Sequence, residues 1–166
     1  NYYDKHYNKS WNPLTVISIS IGQGEVTATP LQIANLAATI ANRGHFYTPH
    51  VVRSIQDGQI DSLYRTPRYT MVDKKWYDYA VAGMRQAVVN GTCRLANLPG
   101  LDVCGKTGTA QNRGQDHSAF MGFAPMNDPK IAVAVYVENG GFGNVYGVPL
   151  GALIMEKYLN GSLSPE

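Results

Sequence analysis

Apolar and polar residues alternate from Thr15 to Ile21, with Val16, Ser18 and Ser20 on one side and Ile17, Ile19 and Ile21 on the other. A period of two predicts a half-buried extended segment, turned at Gly22-Gln-Gly24. The period then changes. Between Thr29 and Gly44, Ile33, Leu36, Ala37, Ile40 and Ala41 line one helical face. Thr29 is placed as an N-cap, Pro30 as the first helical residue and Gln32 as the far half of a capping box, and Gly44 stops the helix. Phe46 to Ile55 and Ile60 to Tyr69 are strand-like runs around Asp57-Gly58, which predicts a small exposed hairpin. Asp73 then caps a second helix with Tyr77, Ala80, Val81, Met84 and Val88 on one face and Asn90-Gly91 at its end. Trp76 and the tyrosines near it are expected in the core or at its rim.

Three extended segments follow: the stretch from Leu101 to Gln111, then His117 to Phe123, then Ile131 to Val137. The polar run Gln111 to Asp116 joins the first two, and Pro125-Met-Asn-Asp-Pro129 the last two. Ile131 to Val135 is apolar at consecutive positions, which predicts a strand covered on both faces in the middle of a sheet. Pro149 opens a final helix whose Leu150, Leu153, Ile154 and Tyr158 are expected to lie across that sheet, with Gly161 beyond its end. The class expected is α+β, an antiparallel meander covered by helices.

The 166 residues are enough for one domain with its own core. A formal charge of +2 is spread without a basic run, which argues against nucleic acid or an acidic membrane surface as a partner. No apolar run is long enough to span a bilayer, and Asn1-Tyr-Tyr-Asp-Lys-His6 is not a signal peptide, so any export signal is expected upstream. Residues 1 to 14 read as a loop. Ser10-Trp11-Asn12 within it is formally Ser-x-Asn, but a turn with a packed Trp11 is the reading adopted. Cys93 and Cys104 have neither C-x-x-C spacing nor flanking His, so idle or buried thiols are expected, with no metal and no cofactor; whether they pair is open. His6, His45 and His50 have no partner at ligand spacing and are read as surface residues.

The chemistry concentrates in Val103-Cys-Gly-Lys-Thr-Gly-Thr-Ala-Gln111, which places one Lys, two Thr and two Gly in a strand-like segment. Gly105 and Gly108 remove side chains where another group must come close. An edge strand of this composition reads as the anion-binding wall of an active site, able to pair with a peptide through its own backbone. Gly100 to Thr107 also fits the phosphate-loop pattern G-x-x-x-x-G-K-[ST], and Val133 to Glu138 could imitate its acidic strand. That loop needs a strand before its first Gly and a helix from its Lys, whereas Ala96-Asn-Leu-Pro99 precedes Gly100, and Gly108 with Asn112-Arg-Gly114 follows. Asp116-His117 invites a dyad, but neighbours in a strand point to opposite faces.

Lys106-Thr-Gly108 is the third of three elements of the penicillin-recognising acyltransferases. With Ile19-Ser-Ile-Gly-Gln-Gly-Glu25 leading into Thr27-Ala-Thr-Pro-Leu-Gln32, His117-Ser-Ala-Phe-Met-Gly-Phe-Ala-Pro125 and Ile131-Ala-Val-Ala-Val-Tyr-Val-Glu-Asn-Gly-Gly141, it spans nearly the whole chain. In these stretches the chain resembles the C-terminal part of class B penicillin-binding proteins, most closely the elongation type, penicillin-binding protein 2. The resemblance implies the β-lactamase/transpeptidase-like fold, with residues 1–166 as the C-terminal portion of a single transpeptidase domain. The meander would be the near half of a five-stranded antiparallel sheet, and the other two strands would come from sequence before the nucleophile.

The activity implied is that of a peptidoglycan DD-transpeptidase, which cross-links stem peptides by serine acyl transfer. No Ser in the chain has a Lys three residues later, so the nucleophile is expected upstream and the isolated chain is expected to be inactive. By resemblance, Lys106 supports the proton network, Thr107 and Thr109 bind the terminal carboxylate of D-Ala-D-Ala or of a β-lactam antibiotic, Gly108 makes room for the acyl chain, and the backbone N–H of Thr109 is an oxyanion donor. Implied partners are the stem peptide, β-lactams, the N-terminal part of the domain and cell-elongation proteins. The implied place is the outer face of the bacterial cytoplasmic membrane, anchored by an upstream helix. A septal class B enzyme, a phosphate-loop nucleotide binder and a non-catalytic interaction module are the alternatives.

Overall fold

The computed structural model describes residues 13–24 and 26–163. Ser10-Trp11-Asn12 and His6 lie outside them. The sheet is the meander expected from the pattern: β3 (Cys104–Ala110), β4 (His117–Ala124) and β5 (Ile131–Val137) are antiparallel in the order β3-β4-β5. The register sets Lys106 opposite Met121, Thr107 opposite Phe120 and Thr109 opposite Ser118, and β4 in turn sets Phe120 opposite Val135. Alternation sends Phe120 and Phe123 to opposite faces, and each face has its own apolar cluster.

One cluster joins Phe123 and Cys104 to Ala41, Val81 and Met84. The other joins Phe120 and Val133 to Val88, Val148, Ala152 and Met155. Helix α2 (Pro30–Ala41) therefore lies on the first face, and α5 (Gly147–Asn160) on the second. Helix α4 (Lys75–Val89) contributes to both from beside β3. Burying a ring such as Phe120 contributes about 1.5–3 kcal/mol.

The predicted cap of α2 is present in full: Thr29 Oγ1 accepts from the N–H of Gln32, and Gln32 Oε1 accepts from the N–H of Thr29. Leu36 nevertheless faces solvent, and Thr39 is buried with its hydroxyl bonded to Asn35 O. At α4, Asp73 accepts from the Lys75 N–H, and Tyr77, Val81, Met84 and Val88 are buried as their spacing requires. Ala80 is exposed. Tyr77 bonds Thr70 through its hydroxyl (2.6 Å), while Trp76 and Tyr79 stack together on the outside.

Three expectations are corrected. Thr15 to Ile21 is not extended: Pro13–Ser20 is a helix, α1, with no buried residue. Pro13 opens it, and with no strand paired to it among the described residues, the backbone satisfies itself locally, ending in Gly22 N–H to Ile19 O and Gln23 N–H to Ser18 O. The hairpin is reduced to its ends, β1 (His45–Phe46) on β2 (Arg68–Tyr69). Pro49 and Pro67 remove ladder donors. Asp57 still forms a turn at positive φ, but Asp61 caps a short helix, α3 (Ser62–Arg65), where the second strand was expected.

β5 pairs with β4 alone among the described residues, so its outer edge is open in this chain, as the lack of the two further strands of a five-stranded sheet implies, and helices cover both its faces. The last helix begins at Gly147 and turns the other way. Leu150, Leu153, Ile154 and Tyr158 are 42–63% exposed, while Val148, Gly151, Ala152 and Met155 meet the sheet. Gly147 and Gly151 explain this. A Cβ on Gly151 would run into the Phe120 ring, and one on Gly147 would stand 3.0 Å from the Ala119 backbone. Small residues let the helix come down onto Phe120, and that close fit outweighs the bulkier face.

Candidate active site

β3 is anchored at both ends and in its middle. At its start, Arg85 of α4 donates to the Val103 carbonyl (3.0 Å) and pairs with Asp102 (3.2 Å), fixing the turn where Gly100 and Asp102 both take positive φ. At its end, the N–H of Gln111 donates to Gln23 Oε1 (3.3 Å), so the Gly22-Gln-Gly24 turn braces the strand. In the middle, Thr107 Oγ1 lies 2.8 Å from Thr92 Oγ1 in the turn that follows α4. Gly100 to Thr107 is thus turn and then strand, with no helix at Lys106. That geometry rules out the phosphate loop, whose anion site is a helix N-terminus.

Lys106 is exposed, and its ammonium donates to the Thr107 carbonyl (2.8 Å). Thr107 and Thr109 are two apart and share the opposite face, half-buried. Thr109 Oγ1 accepts from the N–H of Gly143 (3.3 Å). At Gly108 an added Cβ would meet only the Ala119 Cβ, at 3.3 Å, so the narrow profile of the strand there is not demanded by packing alone. The outer side of β3 has no strand partner among the described residues, which leaves alternate backbone N–H and C=O groups available for a peptide. A cavity lined by Asn90, Thr92, Arg94, Leu95 and Asn144 opens beside Thr92.

The structure therefore brings Lys106, Thr107, Gly108 and Thr109 onto one edge strand, with two hydroxyls on one face and a cationic side chain on the other. It does not bring Asp116 and His117 together. His117 Nδ1 accepts from the N–H of Asn139 (2.9 Å), and Asp116 accepts from the N–H of Asn112 (3.3 Å). His45 stacks near Tyr69 and His50 near Tyr64. Cys93 and Cys104 are free and fully buried. Burial pushes both thiols up, Cys104 to about 11, so neither is a nucleophile at neutral pH. No cluster of three or more His, Cys, Asp or Glu among the described residues could hold a metal ion.

Sequence reasoning missed Thr92, Gly143 and Gln23. The signals were the Gly91-Thr92 pair after α4, the glycines of Gly140-Gly-Phe-Gly143 after the last strand, and the polar residue inside Gly22-Gln-Gly24. Each looked like turn punctuation.

Comparison with known proteins agrees with this geometry. A sequence profile of the penicillin binding protein transpeptidase domain matches residues 4–158. The chain is 37% identical over 153 residues to the peptidoglycan D,D-transpeptidase MrdA of Acinetobacter baumannii, covering 80% of this chain and 23% of that protein. It superimposes on the crystal structure of Pseudomonas aeruginosa PBP2 in complex with WCK 5153 with a TM-score of 0.82 and 36% identity, covering 98% of this chain and 37% of that one. Against the imipenem acyl-enzyme complex of Mycobacterium tuberculosis penicillin-binding protein A the TM-score is 0.73 at 33% identity, over 86% of this chain and 33% of that one. The chain spans about a quarter of the curated relatives it matches, 23% of the A. baumannii protein and 27% of one from Haemophilus influenzae. By its sheet, its Lys-Thr-Gly edge strand and the profile spanning nearly its whole length, the chain belongs to the penicillin-binding protein transpeptidase domain family.

Proposed function

We propose that residues 1–166 are the C-terminal part of one peptidoglycan D,D-transpeptidase domain of the elongation type, and that they supply its substrate-recognition wall. The observation that carries this reading is the outer edge of β3, unpartnered among the described residues, where Lys106-Thr-Gly-Thr109 presents two hydroxyls already held on one face. A Ser contributed by the upstream part of the domain attacks the penultimate D-Ala carbonyl. Its proton passes to a base, the C–N bond to the terminal D-Ala breaks, and that amine leaves with a proton; an amine of a second stem peptide then takes the acyl group. Thr107 and Thr109 donate to the terminal carboxylate, and hydrogen bonds to a charged acceptor are the stronger kind. The N–H of Thr109 is one donor to the oxyanion, and Lys106 adds positive potential beside the reacting serine. A β-lactam carboxylate uses the same two hydroxyls.

No helix among the described residues is long and apolar enough to cross a membrane. An upstream helix anchors the domain at the outer face of the cytoplasmic membrane, where it works with other proteins of cell elongation.

Gly108→Val tests the reading in a polypeptide that joins residues 1–166 to an upstream segment bearing Ser-x-x-Lys. Covalent labelling by fluorescent penicillin should fall at least about tenfold, the effect of losing one to two good polar contacts. The unfolding midpoint should hold, because the added Cβ meets only Ala119. Labelling at the parental rate would refute the recognition wall.

A further inference from the structure

The two β3 hydroxyls are each engaged from off the strand, and the polarity of those bonds carries information. Gly143 offers Thr109 an N–H, which only donates, so Thr109 accepts and its own proton stays free for a ligand. Thr107 faces another hydroxyl, Thr92, and either oxygen can be the donor. A bound carboxylate resolves this, since an ionised carboxylate only accepts. If Thr107 gives its proton to the carboxylate and keeps its contact with Thr92, then Thr92, whose hydroxyl also lies beside the Cys93 thiol, is the donor to Thr107.

Thr92 is built into place for that task. The turn that carries it follows α4, with the N–H of Asn90 on Gln86 O and the N–H of Cys93 on Ala87 O, both at 2.9 Å. Gly91 sits so close to α4 that a Cβ there would stand 2.8 Å from the Ala87 backbone. Cys93 is fully buried beneath the turn. Thr92, exposed, is thus mounted on a turn hydrogen-bonded to the helix end, with its hydroxyl 2.8 Å from the Thr107 hydroxyl proposed to meet the ligand.

We propose that Thr92 is a positioning residue for carboxylate recognition: by donating to Thr107 Oγ1 it fixes the Thr107 hydroxyl with its proton directed at the carboxylate of the stem peptide or β-lactam. This rests on the recognition wall proposed above. Thr92 acts through Thr107 and does not touch the ligand.

The test compares T92V, T92S and T107V in the same nucleophile-bearing polypeptide, using the second-order acylation rate constant for a penicillin and for its neutral methyl ester. T92V should lower acylation by the penicillin about tenfold, the worth of one oriented hydrogen bond, and leave acylation by the ester within about twofold. T92S keeps the hydroxyl and should restore the penicillin rate, and the unfolding midpoint of T92V should stay at the parental value. A parental penicillin rate in T92V beside an impaired T107V would overturn the role of Thr92 and leave the recognition wall standing. An equal loss on penicillin and ester would also overturn it, because a general loosening of β3 does not distinguish a charged ligand from a neutral one. If T107V itself acylates normally, the recognition wall fails and this inference fails with it.

Discussion

The two edges of the three-stranded sheet are built differently. Along β3 the side chains are small or polar, and the strand is tied down by Arg85 at its start, Thr92 and Gly143 in its middle and Gln23 at its end. Along β5 the side chains are mostly aliphatic, and among the described residues no polar side chain anchors the strand as these do. Two grooves meet at Ala132, lined by Ala38, Asn42, Phe46, His50 and Ile131 among others, and on the other face of the sheet Leu150, Leu153, Ile154 and Tyr158 of α5 are exposed. A strand edge that recognises a ligand must keep its backbone groups open yet hold them still, and polar anchors behind the strand do that without covering it. An apolar edge beside an apolar helix face gains stability only by being covered. The difference supports the proposal made above, in which β3 meets a ligand and β5 meets the remainder of a larger domain.

The sharpest way to break this contrast is through the residue that underlies both regions. Phe120 lies opposite Thr107 and Val135, and its ring fills the space left by Gly105, Gly122 and Gly151. Phe120→Ala should cost about 3–5 kcal/mol in a denaturant titration, because the cavity cannot close over so large a ring. In the nucleophile-bearing polypeptide it should lower penicillin labelling as well, so that it loses both stability and labelling, whereas Gly108→Val, at the β3 edge, should lose labelling alone. A small stability loss would mean that the packing of α5 on Phe120 is not what fixes the sheet.

The β5 side is tested by association. Residues 1–166 in isolation should self-associate or unfold in sedimentation experiments, and a stable monomer would contradict the account of that edge. Leu153→Lys with Ile154→Lys should shift the chain toward monomer by about tenfold or more, from roughly 25 cal/mol for each Å² of apolar surface no longer driven to bury. The same pair introduced at the β3 edge would have no apolar surface to remove.

The smallest effect belongs to the β3 side. Burial raises the Cys104 thiol from 9.0 to about 11 in the folded chain. Its contribution to stability is fully present below pH 9.0, where both states are protonated, and is lost as pH rises toward about 11 because only the unfolded thiol ionises readily. The unfolding midpoint should therefore be level in pH near neutrality and decline through that window, and Cys104→Ala should flatten the decline. A midpoint independent of pH up to 11 in the parent chain would show that Cys104 is not sealed beneath α4.

Much of this was legible in the sequence wherever a local signal was complete. The Thr29-Pro30-Gln32 start of α2, the meander order and the Lys106-Thr-Gly-Thr109 strand depend on neighbours a few residues apart, and they fold as read. The failures share a cause. For α1, alternation suggested a strand, but a strand needs a partner, and Pro13 with the Gly22 turn gave the backbone a local solution instead. For α5, the bulkiest stripe was read as the buried one, whereas Gly147 and Gly151 let the opposite face reach the Phe120 ring. Thr92 and Gly143 were invisible because what they hold lies 15 and 34 residues away.

By itself, then, the sequence determined which segments turn, which residue types line the edge strand and, through Lys106-Thr-Gly108 and its companion stretches, the family. Tertiary structure alone decided which face of each element is buried and which hydroxyl answers to which donor. The physical reason is that periodicity and capping are settled within one or two turns of chain, while burial and hydrogen-bond polarity are settled by whatever the fold sets opposite.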